Sequence, residues 1–210
     1  MTETLIAAFV TFFVVVDPVG VAPLFVSLTP GATTAERRRT ALRGATIGGA
    51  VLVAFALVGE PFLRALGIGL PAFRIAGGVL LLLLAIDMVM ARQTGLRATT
   101  PGEDEESGQR ADVSVFPLAI PLIAGPGALT SVVLLMGGAR GDLAAQGVIL
   151  AVLVVVLLIT LACLLAAAQL MRLLGTTGVN VVTRVFGIVT AALAVQFMID
   201  GALAVWPTVR

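Results

Sequence analysis

Two polar interruptions lie within apolar segments of the chain, about 110 residues apart. The first is the run Asp17-Pro18-Val19-Gly20-Val21-Ala22-Pro23, and the second is Gly125-Pro126-Gly127, which Thr130 and Ser131 follow. An aspartate at the centre of a membrane-spanning helix costs roughly 2.5–3.5 kcal/mol, and a proline removes a backbone hydrogen-bond donor. Such irregular backbone survives at membrane depth only where it is buried in protein or lines a cavity. The pair is therefore typical of a secondary transporter's binding site.

Broken helices could bind both charged groups of an amino acid. A break leaves amides at the start of the second half without partners, and carbonyls at the end of the first half. The amide end attracts a carboxylate and the carbonyl end attracts a cation. We predict that the amides of Ala128 to Thr130, with the Thr130 and Ser131 hydroxyls, bind the carboxylate. Asp17 and the carbonyls before it would bind the ammonium group, or a coupling proton or sodium ion.

The predicted substrate site combines both breaks with one glutamine of the last apolar segment. Its residues are Asp17, Pro18, Gly20, Gly125, Pro126, Gly127, Ala128, Leu129, Thr130, Ser131 and Gln196. The predicted ion-coupling residues are Asp17 and Asp200. Glycines at 20, 125 and 127 leave room for a small substrate to approach the backbone.

Simpler structural roles stay open for these side chains. Asp17 could serve only as a helix cap, and Thr130 and Ser131 could bond back to their own helix. Gln196 could bridge two helices, and Asp200 could reach water at the membrane surface.

Two other polar features receive structural interpretations. Asp87 is interpreted as a partner of Arg92 or as a cytoplasmic surface group, so it is left out of the site. The Gly77-Gly78 pair is interpreted as tight helix packing rather than as a ligand contact.

Composition identifies the elements that must position these residues. Of 210 residues, 59% are hydrophobic and 12% are charged, against about 25% charged in soluble domains. Mean hydropathy is +1.12. Apolar runs of about 20 residues predict membrane-spanning helices, so we predict an all-α membrane protein. The six predicted spans cover residues 4–28, 42–62, 71–91, 113–137, 145–171 and 182–206.

The spacing of motifs predicts an internal repeat. Pro18 and Arg74 are 56 residues apart, and Pro126 and Arg184 are 58 apart. Each half thus has a broken span, a plain span and a third span. Because three is odd, the second copy enters the membrane from the opposite side. We predict two inverted three-helix repeats, 1–91 and 113–210, joined by a charged cytoplasmic linker, 92–112, with helices 1 and 4 broken near the bilayer midplane.

Arginine placement predicts that both termini lie outside, since cytoplasmic loops carry the excess of basic residues. The chain has no lysine. Nine arginines then fall inside: Arg37, Arg38, Arg39, Arg43, Arg92, Arg97, Arg110, Arg172 and Arg184. Four fall outside: Arg64, Arg74, Arg140 and Arg210.

Missing residue types argue against an enzyme. The chain has no histidine and one cysteine, Cys163, which argues against a serine-protease triad of the usual kind, a zinc site and a dithiol shuttle. The lack of lysine argues against a P-loop. Asp17 and Asp200 lack the Gly-x-Gly-Asp setting of an intramembrane aspartyl protease. With a net charge of +1, nucleic acid is not a predicted partner, and no cofactor or metal is predicted.

Several runs together resemble a known family. They are Asp-Pro-Val-Gly-Val-Ala-Pro-Leu-Phe at 17–25, Pro-Leu-Ile-Ala-Gly-Pro-Gly-Ala at 121–128, Val-Gln-Phe-Met-Ile-Asp-Gly at 195–201, Arg-Ile-Ala-Gly-Gly at 74–78 and Leu-Met-Arg-Leu-Leu-Gly at 170–175. The chain is similar to the MarC family of six-span bacterial and archaeal inner-membrane proteins.

The resemblance implies a location, an activity and one departure. It places the chain in a bacterial or archaeal cytoplasmic membrane, with the lipid bilayer as a partner. The family was named for an antibiotic-resistance locus, and its archaeal members imply transport of small neutral amino acids. Asparagine is common in the family at the positions of Asp17 and Asp200, so this chain adds titratable charge there.

We therefore predict a proton- or sodium-coupled transporter of glycine- or alanine-like substrates. An exporter of drugs or other small metabolites and a passive channel remain as alternatives. The oligomeric state is not predicted.

Overall fold

A computed structural model describes residues 2–90 and 113–206, and within them the chain consists of helices joined by short connections and has no strands. The predicted all-α class is confirmed. The predicted linker, 92–112, lies outside the described residues. The elements are α1 (Thr2–Val16), α2 (Pro18–Leu28), α3 (Thr34–Ala65), α4 (Leu70–Met90), α5 (Ser114–Ile123), α6 (Pro126–Gly138), α7 (Leu143–Leu165) and α8 (Ala167–Val205).

Five helical stretches of the described chain are long and apolar enough to cross a membrane. They are Thr2–Leu28, which comprises α1 and α2, together with α3, α4, α7 and α8. The pair α5 and α6, bent by 55° at the break between them, makes a sixth if it is one span. The chain is therefore a multi-pass membrane protein with five or six spans.

Helix α3 begins eight residues before the predicted span, because its first turn is well capped. The Thr33 hydroxyl accepts a bond from the Glu36 amide at 3.3 Å, and the Glu36 carboxylate accepts one from the Thr33 amide at 2.8 Å. This reciprocal capping box satisfies two donors at the helix start. The helix continues through Pro61 to Ala65.

Helix α8 also begins early, at Ala167 rather than near residue 182. Its 39 residues include one non-helical position, Gly175, with φ 63° and ψ 178°. Only glycine adopts that backbone conformation at low cost. The run therefore consists of a short helical piece before Gly175 and a long span after it.

Helices α4 and α8 pack antiparallel through glycines. A Cβ on Gly78 would lie 2.6 Å from Met198 Cγ, and one on Gly201 would lie 2.7 Å from Ile75 Cγ1. These separations leave no room for a side chain, so the glycines let the two backbones approach closely. Packing is thus the role of Gly78, and of Gly77, whose Cβ would collide with the Thr130 methyl group.

The two halves of the chain interlock. Helices α1 and α2 pack mainly on α7 and α8, while α5 and α6 pack mainly on α3 and α4. The core between them is apolar, and its largest fully buried side chains include Phe12, Phe25, Leu52, Leu81, Leu118, Ile123, Ile149 and Leu153. Each interrupted span is therefore covered by the straight spans of the other half.

Adding a side chain at the α4–α8 contact should destabilise the fold. We expect Gly78→Leu to lower the free energy of unfolding by about 1–3 kcal/mol, because the new side chain meets Met198 and the backbone of Ala194. Gly147→Leu in α7 is the matched control, since nothing lies within 4 Å of a Cβ there. Thermal unfolding in detergent measures both variants. Equal melting temperatures would contradict this account of the packing.

Candidate functional site

The first break is centred on Asp17, between α1 and α2. This residue is fully buried and adopts a left-handed conformation, with φ 51° and ψ 66°, which aspartate and asparagine tolerate better than most residues. Its Oδ1 accepts a hydrogen bond from the Gly20 amide at 3.0 Å. Pro18 follows as the first residue of α2, where its missing N–H is no loss. Asp17 is therefore a helix cap, and its carboxylate is held at the buried start of α2.

Gly20 makes room for that cap. A Cβ at Gly20 would collide with the Asp17 carboxylate and would lie 2.7 Å from its Cγ. The absence of a side chain at residue 20 thus serves the carboxylate directly.

The second break has a different local cause. Phe116 (φ −129°, ψ 126°) and Ile120 (φ −131°, ψ 123°) are extended within α5, because each precedes a proline, which disfavours the helical conformation in the residue before it. Helix α6 then restarts at Pro126. Gly125 occupies its cap position, so no side chain caps the first amides of α6. Of the amides predicted to bind the carboxylate, that of Leu129 instead donates to the Gly125 carbonyl at 3.0 Å. An uncapped helix start is suited to a bound anion.

The two breaks meet through the last turn of α1 and the first turn of α6. A Cβ on Gly127 would lie 3.0 Å from Val15 Cγ1 and 2.7 Å from Leu81 Cδ2. Leu81 is near the middle of α4, which spans Leu70–Met90. The contact therefore places both breaks at the level of the middle of this helix.

A small cavity lies at this contact. Its walls are Val15 of α1, two leucines of α4, and residues of α5 and α6: Leu80, Leu84, Pro121, Leu122, Ile123, Gly125, Pro126, Gly127 and Ala128. The volume is about 10 Å³, which is room for about one water molecule. The backbone of the second break thus borders a mainly apolar space.

Ser131 lies one turn beyond Gly127 in α6. It is fully buried, and within the described ranges its Oγ has no hydrogen-bond partner. The alternative role left open for this hydroxyl, a bond back to its own helix, is not observed among the described residues. An unsatisfied buried polar group costs about 1–3 kcal/mol, so Ser131 Oγ is a group that a ligand or water would stabilise. Thr130 is also buried and directs its methyl group at Gly77, while Leu129 is half-buried against the core.

The structure does not bring Gln196 and Asp200 to the breaks. Gln196 is exposed on α8 and donates a hydrogen bond from Nε2 to Asp200 Oδ1 at 2.7 Å. The α6 helix meets α4 at Gly77, whereas α8 meets it at Gly78, and these neighbouring positions face about 100° apart on a helix. The two polar residues of α8 pair with each other instead. For Asp87, the expected partner Arg92 lies outside the described residues.

Sequence reasoning missed the apolar walls of the site. Val15, Leu80 and Leu84 line the cavity, and Leu81 packs on Gly127. Val15 lies two residues before Asp17, and the three leucines belong to one run of leucines in α4. Any long apolar span contains such residues, so their types alone do not identify them as part of a site.

Comparison with known proteins places the chain in a family. A model of the MarC family of integral membrane proteins matches residues 2–206. A UPF0056 membrane protein of Methanocaldococcus jannaschii is 36% identical over 93% of this chain and 94% of its own length. The UPF0056 membrane protein YvbG of Bacillus subtilis is 32% identical, over 99% and 98% of the two chains. The corresponding values for YhcE of Escherichia coli are 34% identity, 95% and 92%.

No solved structure matches the chain. The family model covers both breaks and every helix described above. The chain therefore belongs to the MarC family of integral membrane proteins.

Proposed function

We propose that this chain is a secondary transporter of small neutral amino acids, coupled to protons or sodium. The observation that carries the proposal is the contact of the two breaks, Val15 against Gly127, beside the middle of α4. The proposal places the chain in the cytoplasmic membrane of a bacterium or archaeon, with both termini outside. It is not proposed to be an enzyme.

The start of α6 is the proposed carboxylate site. Its first amides have no side-chain cap, and together they carry roughly half a positive charge. The Ser131 hydroxyl is buried and without a partner in the described part of the chain. A substrate carboxylate between them would accept bonds from donors that water does not reach.

The end of α1 is the proposed cation site. Its last carbonyls carry the negative end of the helix dipole, and no basic side chain lies in its last turn. Asp17 follows directly and adds a carboxylate. A substrate ammonium group, a proton or a sodium ion would be stabilised there.

The residues that line the second break support small substrates. The cavity has room for about one water molecule in this conformation, so a bound amino acid requires that the breaks move apart. Backbone and short side chains line the second break, at Gly125, Gly127 and Ala128, and they leave space for glycine or alanine more readily than for a large side chain. A space this small argues against a permanently open channel.

We further propose that residues 1–91 and 113–210 are inverted repeats whose spans 1 and 4 are broken near the midplane. Three observations support this arrangement. Pro18 and Pro126 each begin the second helix of an interrupted stretch. The packing is reciprocal between halves, and the third spans, α4 and α8, pair antiparallel. Alternating access would follow from movement of one half against the other.

Transport in proteoliposomes tests the proposal. Purified protein should give saturable uptake of labelled glycine or alanine that increases with an imposed proton or sodium gradient. Protein-free liposomes are the control. Flux that does not saturate would indicate a channel, and uptake of antibiotics or other metabolites without amino acids would indicate the exporter. Either result would overturn the proposed substrate or mechanism.

Asp17→Asn should separate capping from charge. Asparagine caps helices as well as aspartate and tolerates the left-handed conformation, so we expect the melting temperature to change little. Stimulation of uptake by a proton gradient should be lost if Asp17 carries the coupling proton. Asp142→Asn is the matched control, because Asp142 also caps a helix but is exposed. Its Oδ1 accepts a hydrogen bond from the Ala145 amide at 2.9 Å. Unchanged pH dependence in Asp17→Asn would remove its coupling role.

Gly127→Ala should impair transport. The added methyl group would lie 2.7 Å from Leu81 and 3.0 Å from Val15, which disfavours the packed state by about 1–3 kcal/mol. We expect an uptake rate lower by about tenfold or more if each cycle passes through that state. Gly138→Ala, in the same helix with nothing within 4 Å of its Cβ, should transport normally. Normal uptake by Gly127→Ala would place the second break outside the transport site.

A further inference from the structure

The outward face of α8 carries one exposed polar residue, Gln196, within an apolar stripe, and the half-buried Asp200 lies beside it. The exposed residues of this stripe follow at intervals of three or four, which places them on one side of the helix. They are Val189, Ala192, Gln196, Ile199 and Leu203. Apart from Gln196 they suit contact with lipid, so the glutamine needs a separate explanation.

Gln196 lies near the middle of its span. It is ten residues from Trp206 and twelve from Arg184, which are about 15 and 18 Å along a helix. The hydrocarbon core is about 30 Å thick. Gln196 also lies between Ala194 and Met198, the two residues of α8 that contact Gly78 near the middle of α4. An amide at this depth on a lipid-facing surface has no water to bond.

The Gln196 amide has unused hydrogen-bonding capacity. A carboxamide has two N–H donors and a carbonyl oxygen that accepts two bonds. One N–H bonds Asp200 Oδ1 at 2.7 Å, and among residues 2–90 and 113–206 this is the only partner of the side chain. The second N–H and the oxygen remain for a neighbour that lipid does not supply.

We propose that the outward stripe of α8 is the interface of a twofold-symmetric homodimer. A twofold axis along the membrane normal places the same residue of both copies at the same depth, so the contact is made by one patch on each copy. A carboxamide is self-complementary. The Gln196 oxygen would accept a bond from the partner subunit's Gln196, and its free N–H would donate to the partner's oxygen. Ala192, one turn away, is small enough for the helices to approach.

This inference does not depend on the proposed transport. It concerns the outer face of α8, whereas the breaks lie at the α1–α6 contact. A failure of amino acid uptake would leave it intact.

Disulfide crosslinking in native membranes tests the dimer. Cys163, the one cysteine of the chain, is first replaced in a Cys163→Ala background. Ala192→Cys and Ile199→Cys are then oxidised separately. We expect a product of about 43 kDa from each, twice the 21.5 kDa chain, because disulfide formation requires Cα atoms within about 7 Å. Leu158→Cys, on the exposed face of α7 (59% exposed), is the matched control and should stay monomeric.

Gln196→Leu tests the role of the amide. Leucine suits a lipid-facing position, so the variant should fold, and its melting temperature checks this. In the Ala192→Cys background we expect crosslinking to fall by about three- to thirtyfold, the range for hydrogen bonds between membrane helices. The proposal is overturned if Ala192→Cys gives no dimer, if Leu158→Cys crosslinks equally well, or if Gln196→Leu leaves crosslinking unchanged.

Discussion

Close contact between the end of α1 and the start of α6 is the constraint on which the site depends. A residue with a side chain at position 127 would separate the two helices, since Val15 and Leu81 already occupy the adjacent space. The contact brings the negative end of one helix dipole near the positive end of another, in apolar surroundings where their fields are little screened. Leu80 and Leu84 line the small cavity that remains. The same packing thus brings the two helix ends together and leaves little space for water between them.

The two breaks reach this contact by different chemistry. At the first, a buried carboxylate caps α2 and requires glycine at residue 20. At the second, prolines at 117 and 121 distort α5, and Gly125 leaves the start of α6 uncapped. A side-chain cap at one break and a helix start without one at the other make the two sides of the contact different in charge. Because Asp17 caps α2 in this conformation, any role in coupling is additional to a structural one.

Much of the fold could be predicted from the sequence, because lipid imposes strong limits on length and composition. The all-α class, the approximate positions of the apolar spans and the packing role of Gly78 follow from residue type and spacing alone. The early start of α3 also has a sequence signal, the Thr33-x-x-Glu36 capping box. This signal lies in a charged stretch before the apolar run, where a search for membrane spans does not look. The start of α8 at Ala167 had no such signal. An amide in the middle of a span suggests ligand binding, so residue type alone assigns Gln196 to the breaks. Only the packed structure shows that its side chain is exposed on α8 and bonds Asp200.

Interlocked packing also bears on how the protein is made. During synthesis α1 and α2 emerge first, yet the helices that cover them, α7 and α8, emerge last. Asp17 is therefore synthesised before most of the residues that bury it. For that interval a polar side chain at membrane depth is costly, so the translocon, water at the membrane surface or other polar groups must surround Asp17. The first span of this protein is consequently completed only when the last one has been inserted.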